Sequence, residues 1–443
     1  MNLPEAFIRR TQPLLGKEFD DFCAALQAVP PVSVRLNTLK SEQAVSPERV
    51  PWCDTGYYLP TRPVFTLDPR FHGGAYYVQE ASSMFVEQVL RQFVNRPVHA
   101  LDLCAAPGGK STHLAALLPE GSLLVSNEIV RSRAYILAEN IAKWGAPHCV
   151  VTNNAPEDFG ELSSMFDVVL VDAPCSGEGM FRKDAGAITE WSEHNVELCA
   201  ARQRQLLQAA WATLAEGGLL IYSTCTFNRE ENEEQVEWIC RELGAEKLSI
   251  EINPAWGVSV TNGGYRFYPH KTRGEGFFIS ALRKTASESP FRIKASKHAD
   301  KFSKEQLALK SFVVSPEKYS LQLLGERFAL FPAEHCELIN FLQKKLRVFH
   351  AGVPLGLWKG KNFVPDAAPA LSTALDKSQF VVAEVDTDTA LRFLRTENIA
   401  LPDTATGIVL VSYKGLGLGW VKNLGNRCNS LYPNEWRIRM NIN

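Results

Sequence analysis

No stretch of this chain approaches the roughly 18 consecutive apolar residues of a membrane-spanning helix. The start, Met1-Asn2-Leu3-Pro4-Glu5, lacks the basic and apolar regions of a secretory signal, so the chain reads as cytoplasmic with no membrane partner. Although there are 10 cysteines, Cys-x-x-Cys is absent; the pattern suits reduced thiols, and neither a disulfide framework nor a metal site is indicated. Also missing are G-x-G-x-x-G and G-x-x-x-x-G-K-[ST], which leaves dinucleotide and phosphate cradles poorly supported. Charge of one sign is lacking too: the net charge of -2 gives no global pull on a polyanion, so any such contact must come from local patches. What is present, 443 residues of which 45% are hydrophobic, is enough for about two to four domains.

The middle of the chain alternates strand and helix patterns. Apolar runs at 98–103, 123–126, 149–151, 166–171 and 219–222 are separated by helical patterns reaching 118, at 131–144 and at 194–214. That alternation predicts an open parallel sheet with helices on both faces. Asn228-Arg229-Glu230-Glu231 reads as a capping box opening a helix through Leu243, and 276–281 as a late edge strand. Ligands of such sheets lie near the first strand-to-helix turn, here Cys104-Ala105-Ala106-Pro107-Gly108-Gly109-Lys110-Ser111. Two adjacent glycines permit close backbone approach by a non-phosphate ligand, such as the methionine part of S-adenosylmethionine. Glu128, just past the second strand, is placed to accept hydrogen bonds from a ribose diol.

Two cysteines follow strand-like runs: Cys175 in Asp172-Ala173-Pro174-Cys175-Ser176-Gly177, and Cys225 in Ser223-Thr224-Cys225-Thr226. Free cysteine is often simply a small buried residue, which suffices for Cys23, Cys149 or Cys240. The flanking turns of Cys175 and Cys225 suggest chemistry instead. Carbon 5 of cytosine is too electron-poor to take a methyl group from a sulfonium donor until a nucleophile has added at carbon 6, and a thiolate suits that addition. A second thiol nearby can then assist release of the adduct.

Asp102-Leu103-Cys104-Ala105-Ala106-Pro107-Gly108-Gly109-Lys110, the Asp172–Gly177 segment and Tyr222-Ser223-Thr224-Cys225-Thr226 resemble the signature motifs of the NOL1/NOP2/Sun family of RNA 5-methylcytosine methyltransferases. Arg35-Leu36-Asn37-Thr38, Gln79-Glu80-Ala81-Ser82-Ser83 and Pro269-His270 up to Gly276-Phe277-Phe278 match its weaker motifs, so the resemblance runs from about Pro30 to Arg283. Within the family, the segment from Gly177 to Lys183 and the C-terminal third look most like the bacterial enzymes acting on small-subunit (16S) rRNA. The resemblance implies Cys225 as the carbon 6 nucleophile, Cys175 as the residue assisting release, and Asp172 holding or protonating ring nitrogen 3. Lys110 would neutralise Asp172 or contact the RNA backbone. S-adenosylmethionine would be held by Cys104, Ala105, Ala106, Pro107, Gly108, Gly109, Lys110, Glu128, Arg133, Asn153, Asp172 and Pro174. Where the family commonly has an Asp facing the adenine amine, this chain reads Thr152-Asn153-Asn154; an Asn carbonyl still accepts that bond, at some cost in cofactor affinity.

The implied architecture is α/β: an N-terminal α+β RNA-binding region (1–70), a Rossmann-like methyltransferase domain (71–284), a basic linker and helical connector (285–345), and a PUA-like small β-barrel domain (346–443). The linker run, Arg283, Lys284, Arg292, Lys294, Lys297, Lys301, Lys304 and Lys310 against Glu288, Asp300 and Glu305, is either a solvated connection or an RNA contact. Residues 351–358, 407–413 and 416–420 supply the barrel's apolar alternation; Trp358, Trp420 and Trp436 read as core, and Lys422, Arg427, Arg437 and Arg439 as candidate phosphate contacts. The expected partner is therefore small-subunit rRNA, free or in an assembled subunit, bound by a monomer that takes the base from a single strand or flips it out. A tRNA methyltransferase of the same family, or a non-catalytic RNA-binding assembly factor, are the other readings; the latter would be free to lose Asp172, Cys175 or Cys225.

Overall fold

The computed structural model describes residues 2–41, 44–286, 291–293 and 302–440. Among the described residues no helix is long and apolar enough to cross a membrane. Strands β1 (Val32–Leu36), β2 (Gly56–Leu59) and β3 (Tyr76–Val78) form a small antiparallel sheet in the order β2-β1-β3. It is preceded by helices Glu5–Leu15 and Phe19–Gln27, whose Phe7, Phe22 and Leu26 pack against Phe181, Trp191 and Phe227.

The central sheet begins with β4 (His99–Asp102), β5 (Leu123–Asn127), β6 (Cys149–Thr152), β7 (Phe166–Asp172) and β8 (Leu214–Thr224), all paired in parallel. Side chains alternate across it as strand geometry demands. Ala100, Leu124, Val168 and Leu170 pack on one face with Leu114, Leu137 and Ile141. Leu101, Val125, Val169 and Val171 pack on the other with Leu206, Leu207 and Ile239. Helix Arg131–Trp144 stops at Gly145, left-handed at φ 83°, whose N–H bonds back to the Ile141 carbonyl.

Further strands extend this sheet on both sides. On one side lie β9 (Ala245–Leu248), β10 (Ser259–Val260), β11 (Tyr265–Phe267) and β12 (Phe277–Lys284). The 276–281 run expected at an edge is interior: β12 pairs antiparallel with β8, β9 and β11. The expected helix start at Asn228 is also displaced. The helix is Glu233–Glu242, with Asn232 at its cap. Asn228 does accept the Glu231 N–H, as a box requires, but the Asn228 N–H goes to Glu178, and the Glu231 carboxylate accepts from the Asn228 side chain and from Ser176 of another loop.

The chain past 300 divides differently from a single barrel. After β13 (Tyr319–Leu324) and β14 (Arg327–Pro332), β15 (Val348–Ala351) joins the central sheet beside β6. Then β16 (Val353–Lys359) and β17 (Asn362–Pro365) complete the sheet β13-β14-β16-β17. A separate sheet holds β18 (Val381–Glu384), β19 (Gly407–Tyr413), β20 (Leu416–Asn423) and β21 (Cys428–Ser430). So 351–358 lies apart from 407–420, because glycine-bounded alternation marks strands without specifying their partners. Trp420 is fully buried and Trp436 packs partly buried on the core of this last sheet, whereas Trp358 is 36% exposed beside Phe363. Lys422, Arg427, Arg437 and Arg439 are exposed. Lys284 leaves the basic run: it is buried at the end of β12, donating to the Trp211 and Leu214 carbonyls at 2.9 Å each. Lys294, Lys297, Lys301, Glu288 and Asp300 lie outside the described residues.

Three buried histidines make this fold acid-sensitive. Burial pushes His72, His113 and His350 down to about 4, so they stay neutral while folded. As pH falls from about 6.5 towards 4, the unfolded chain takes up protons that the folded one refuses, and each histidine removes up to about 1.4 kcal/mol of stability per pH unit. The thermal midpoint should therefore drop steeply between pH 7 and pH 5 in a scan. An unchanged midpoint would contradict this.

Candidate active site

The strand order β6-β5-β4-β7-β8 reverses direction between β4 and β7. A ligand site is expected beyond the carboxyl ends of the strands at such a reversal. Asp102 ends β4 and Asp172 ends β7. Between these ends opens a cavity of about 450 Å³, within the roughly 300–1,000 Å³ common for small-molecule sites.

The β4 turn supplies one wall: Cys104, Ala105, Ala106, Pro107, Gly109 and Lys110 line the cavity. Gly108 caps the following helix at φ 114°, a left-handed conformation suited to glycine. Lys110 reaches across to Asp172, Nζ to Oδ2 at 2.8 Å, while the Ser223 hydroxyl donates to Asp172 Oδ1 at 2.7 Å. Burial disfavours the Lys110 ammonium, but Asp172 outweighs it and holds the pKa above its usual value. Asp102 is fully buried. Ser111 donates to its Oδ2 at 2.7 Å, and its Oδ1 has no partner among the described atoms. Burial, with the charge of Asp172 adding to it, raises the Asp102 carboxyl to about 7.

The two cysteine loops meet although 50 residues separate them: Cys175 Sγ lies 3.1 Å from Cys225 Sγ. The Cys225 N–H also points to Cys175 Sγ at 3.4 Å. Only Cys225 of the pair lines the cavity. The Cys175 thiol is raised well above its ordinary value by its hydrogen bond with Cys225 and by burial. Pro174 is outside the lining too, and its carbonyl accepts from Gln203 at 3.0 Å.

Glu128, Arg133 and Asn153 form an adjoining cluster. Arg133 donates to the Ala106 carbonyl at 2.8 Å and sits 3.4 Å from Glu128 Oε2. Asn153 donates to the Glu128 and Ile129 carbonyls, and Arg347 approaches its Oδ1 at 3.5 Å. Sequence reasoning gave Tyr77, Met180, Glu275 and Phe277 no role in the site, although the last three fall in family-like segments; all four line the cavity, as do Gln79, Glu80 and Ser83. Glu275 is paired with Arg182 at 2.8 Å and Lys183 at 3.4 Å. A larger cleft of about 680 Å³ shares Lys183 with the cavity; Pro30, Arg62, Arg182 and Arg273 line it. Cys53, Glu87 and His113 form a buried cluster away from both cavities, with ligand atoms within 4.8 Å of one another, and Glu87 is spent on Asp54, Arg91 and His113.

Comparison with known proteins agrees with this arrangement. Residues 94–283 match the 16S rRNA methyltransferase RsmB/F family, residues 3–81 the N-terminal domain of 16S rRNA methyltransferase RsmF, and residues 380–438 the methyltransferase RsmF PUA domain. Among solved structures, a methyltransferase homolog from Pyrococcus horikoshii superposes with a TM-score of 0.54 at 27% identity, over 63% of this chain and 95% of that one. NSun6 from the same organism gives 0.55 at 23% identity, over 64% and 99%, which shows the Rossmann-like fold. Ribosomal RNA small subunit methyltransferase F of Cronobacter sakazakii is 33% identical over 98% of this chain and 96% of its own length; that of Vibrio vulnificus is 31% identical over 98% and 97%. With such likeness end to end, and a methyltransferase fold carrying paired cysteines at its switch point, this chain belongs to the RsmF family of 16S rRNA methyltransferases.

Proposed function

We propose that the chain methylates carbon 5 of a cytidine in small-subunit rRNA, using S-adenosylmethionine and a covalent adduct on Cys225. The observation that carries this reading is the thiol pair, 3.1 Å apart, with Cys225 on a cavity that also holds the Lys110–Asp172 ion pair. When bound, S-adenosylmethionine supplies an electrophilic methyl group. The residues fit it: Gly109 lines the cavity where an added Cβ would come within 3.3 Å of the Tyr77 ring and crowd it, and Asp102 Oδ1 offers an unspent acceptor. Cys104 to Lys110 and Asp172 would hold the methionine side, Glu128 the ribose, and Arg133 and Asn153 the outer end, whereas Pro174, expected from the sequence to help, is outside the lining.

Asp172, fixed by Lys110 and Ser223, would face ring nitrogen 3 of the cytosine and draw electron density from the ring as Cys225 adds. The RNA strand would reach the cavity through the larger cleft, with Arg62, Lys183 and Arg273 as phosphate contacts, and the C-terminal domain would hold structure further off. Asp172→Asn should lower the single-turnover methylation rate on the order of 10²-fold, as loss of a positioned electrostatic group does. An unchanged rate would remove Asp172 from the chemistry.

The reading is tested by incubating the protein with methyl-labelled S-adenosylmethionine and 16S rRNA, small subunits or tRNA, then digesting to nucleosides. Label in 5-methylcytidine from 16S rRNA or small subunits is expected. Label confined to tRNA, or to another nucleoside, would overturn it.

A further inference from the structure

The mechanism above gives no role to Glu231, a buried carboxylate beside the cysteine loops. Glu231 is fully buried six residues after Cys225, yet it accepts from the Ser176 N–H at 2.9 Å, the Ser176 hydroxyl, Gln203 Nε2 at 2.9 Å and Asn228 Nδ2 at 2.7 Å. All four donors are neutral. Burying a carboxylate costs several kcal/mol unless its lone pairs are satisfied, so a chain that keeps one here spends stability on a specific arrangement.

The arrangement is the placement of the two cysteines. Ser176 follows Cys175 directly, so Glu231 ties the loop of one cysteine to Gln203 on helix Glu193–Thr213 and to Asn228 beyond the other cysteine. Glu178 secures the second loop, accepting from the Phe227 N–H at 2.7 Å and the Asn228 N–H at 2.9 Å. The Gly179 N–H reaches the Cys225 carbonyl at 2.9 Å. Asn228 Nδ2 bridges both carboxylates.

We infer that Glu231 is a positioning residue that fixes Cys175 behind Cys225, so that Cys175 serves release and Cys225 alone attacks. This rests on the covalent mechanism proposed above. In release, the C5–H electrons form the C5–C6 double bond, a base in the cavity or water takes the C5 proton, and the C6–S electrons return to Cys225. The Cys175 S–H, held at 3.1 Å, donates a hydrogen bond to that departing sulfur. The negative charge of Glu231 adds to the causes that keep Cys175 a thiol, and a thiol does not compete as nucleophile.

Glu231→Gln replaces an acceptor oxygen by an NH₂ group that opposes the Ser176 donors, shifting the loop. The expected result is a drop of about 10–100-fold in turnover, the scale of a misplaced group, with KM for RNA and S-adenosylmethionine binding within a few-fold of wild type. Protein covalently bound to RNA should accumulate, and iodoacetamide should modify Cys175 at lower pH than in wild type. Ser176→Ala, which removes one donor, should change these readouts in the same direction by less, and serves if Glu231→Gln does not fold. A purely structural role predicts lost cofactor binding and no trapped RNA. Trapping by Cys175→Ala but by neither of these variants would overturn the inference and leave the release mechanism standing; trapping by none of the three would overturn both.

Discussion

Cys225→Ala abolishes methyl transfer, with an expected loss of at least about 10⁴-fold, the scale seen when a covalent nucleophile is removed. The two thiols are close enough that position alone does not separate their roles; their surroundings do. Cys225 lines the cavity beside Asp172 and Lys110, whereas Cys175 is outside the lining and its thiol is held well above the ordinary value. The variant should still bind S-adenosylmethionine, since Cys225 lies outside the Cys104–Lys110 turn assigned to the methionine side, and it should form no covalent complex with RNA. Isothermal titration and a denaturing gel of the enzyme–RNA mixture check the two halves. Retained activity would move the nucleophile elsewhere.

Cys175→Ala has the opposite signature. Attack and methyl transfer proceed once, release stalls, and enzyme bound to methylated RNA accumulates while turnover falls about 10²–10³-fold, within the range of a lost proton-transfer or hydrogen-bond partner. The expected reason is the 3.1 Å separation: on the proposed mechanism, removing Sγ would leave the departing Cys225 sulfur without the neighbouring thiol. Normal turnover with no trapped complex would remove Cys175 from release. Because each variant removes a single sulfur atom, the contrast between no adduct and a permanent adduct is not explained by unfolding.

The parallel strands β4 to β8 were legible because strands buried on both faces read as continuous apolar runs. The turn at Cys104–Lys110, Asp172 and both cysteines were legible for the same reason: each follows such a run. The interior placement of β12 was not, since Phe277-Phe278-Ile279 gives a strand without naming its neighbours. Nor was the docking of Val348–Ala351 on β6, a pairing between segments about 200 residues apart. Glu231 was misread because an N-terminal helix box and a loop clamp use the same residue types at the same spacing; besides Asn228 its carboxylate takes Gln203 and Ser176, the latter 55 residues upstream. Glu275 falls in the weak 269–278 motif, which gives it no role, and only the fold brings it to the cavity.

The most direct test of the central claim uses rRNA in which 5-fluorocytidine replaces cytidine. Fluorine cannot leave carbon 5 as a proton does, so the adduct survives after methyl transfer. Mass spectrometry of the digested complex should find a methylated fluorocytidine nucleotide on the peptide containing Cys225. Its attachment to Cys175, or methyl transfer with no protein-bound RNA, would contradict the account.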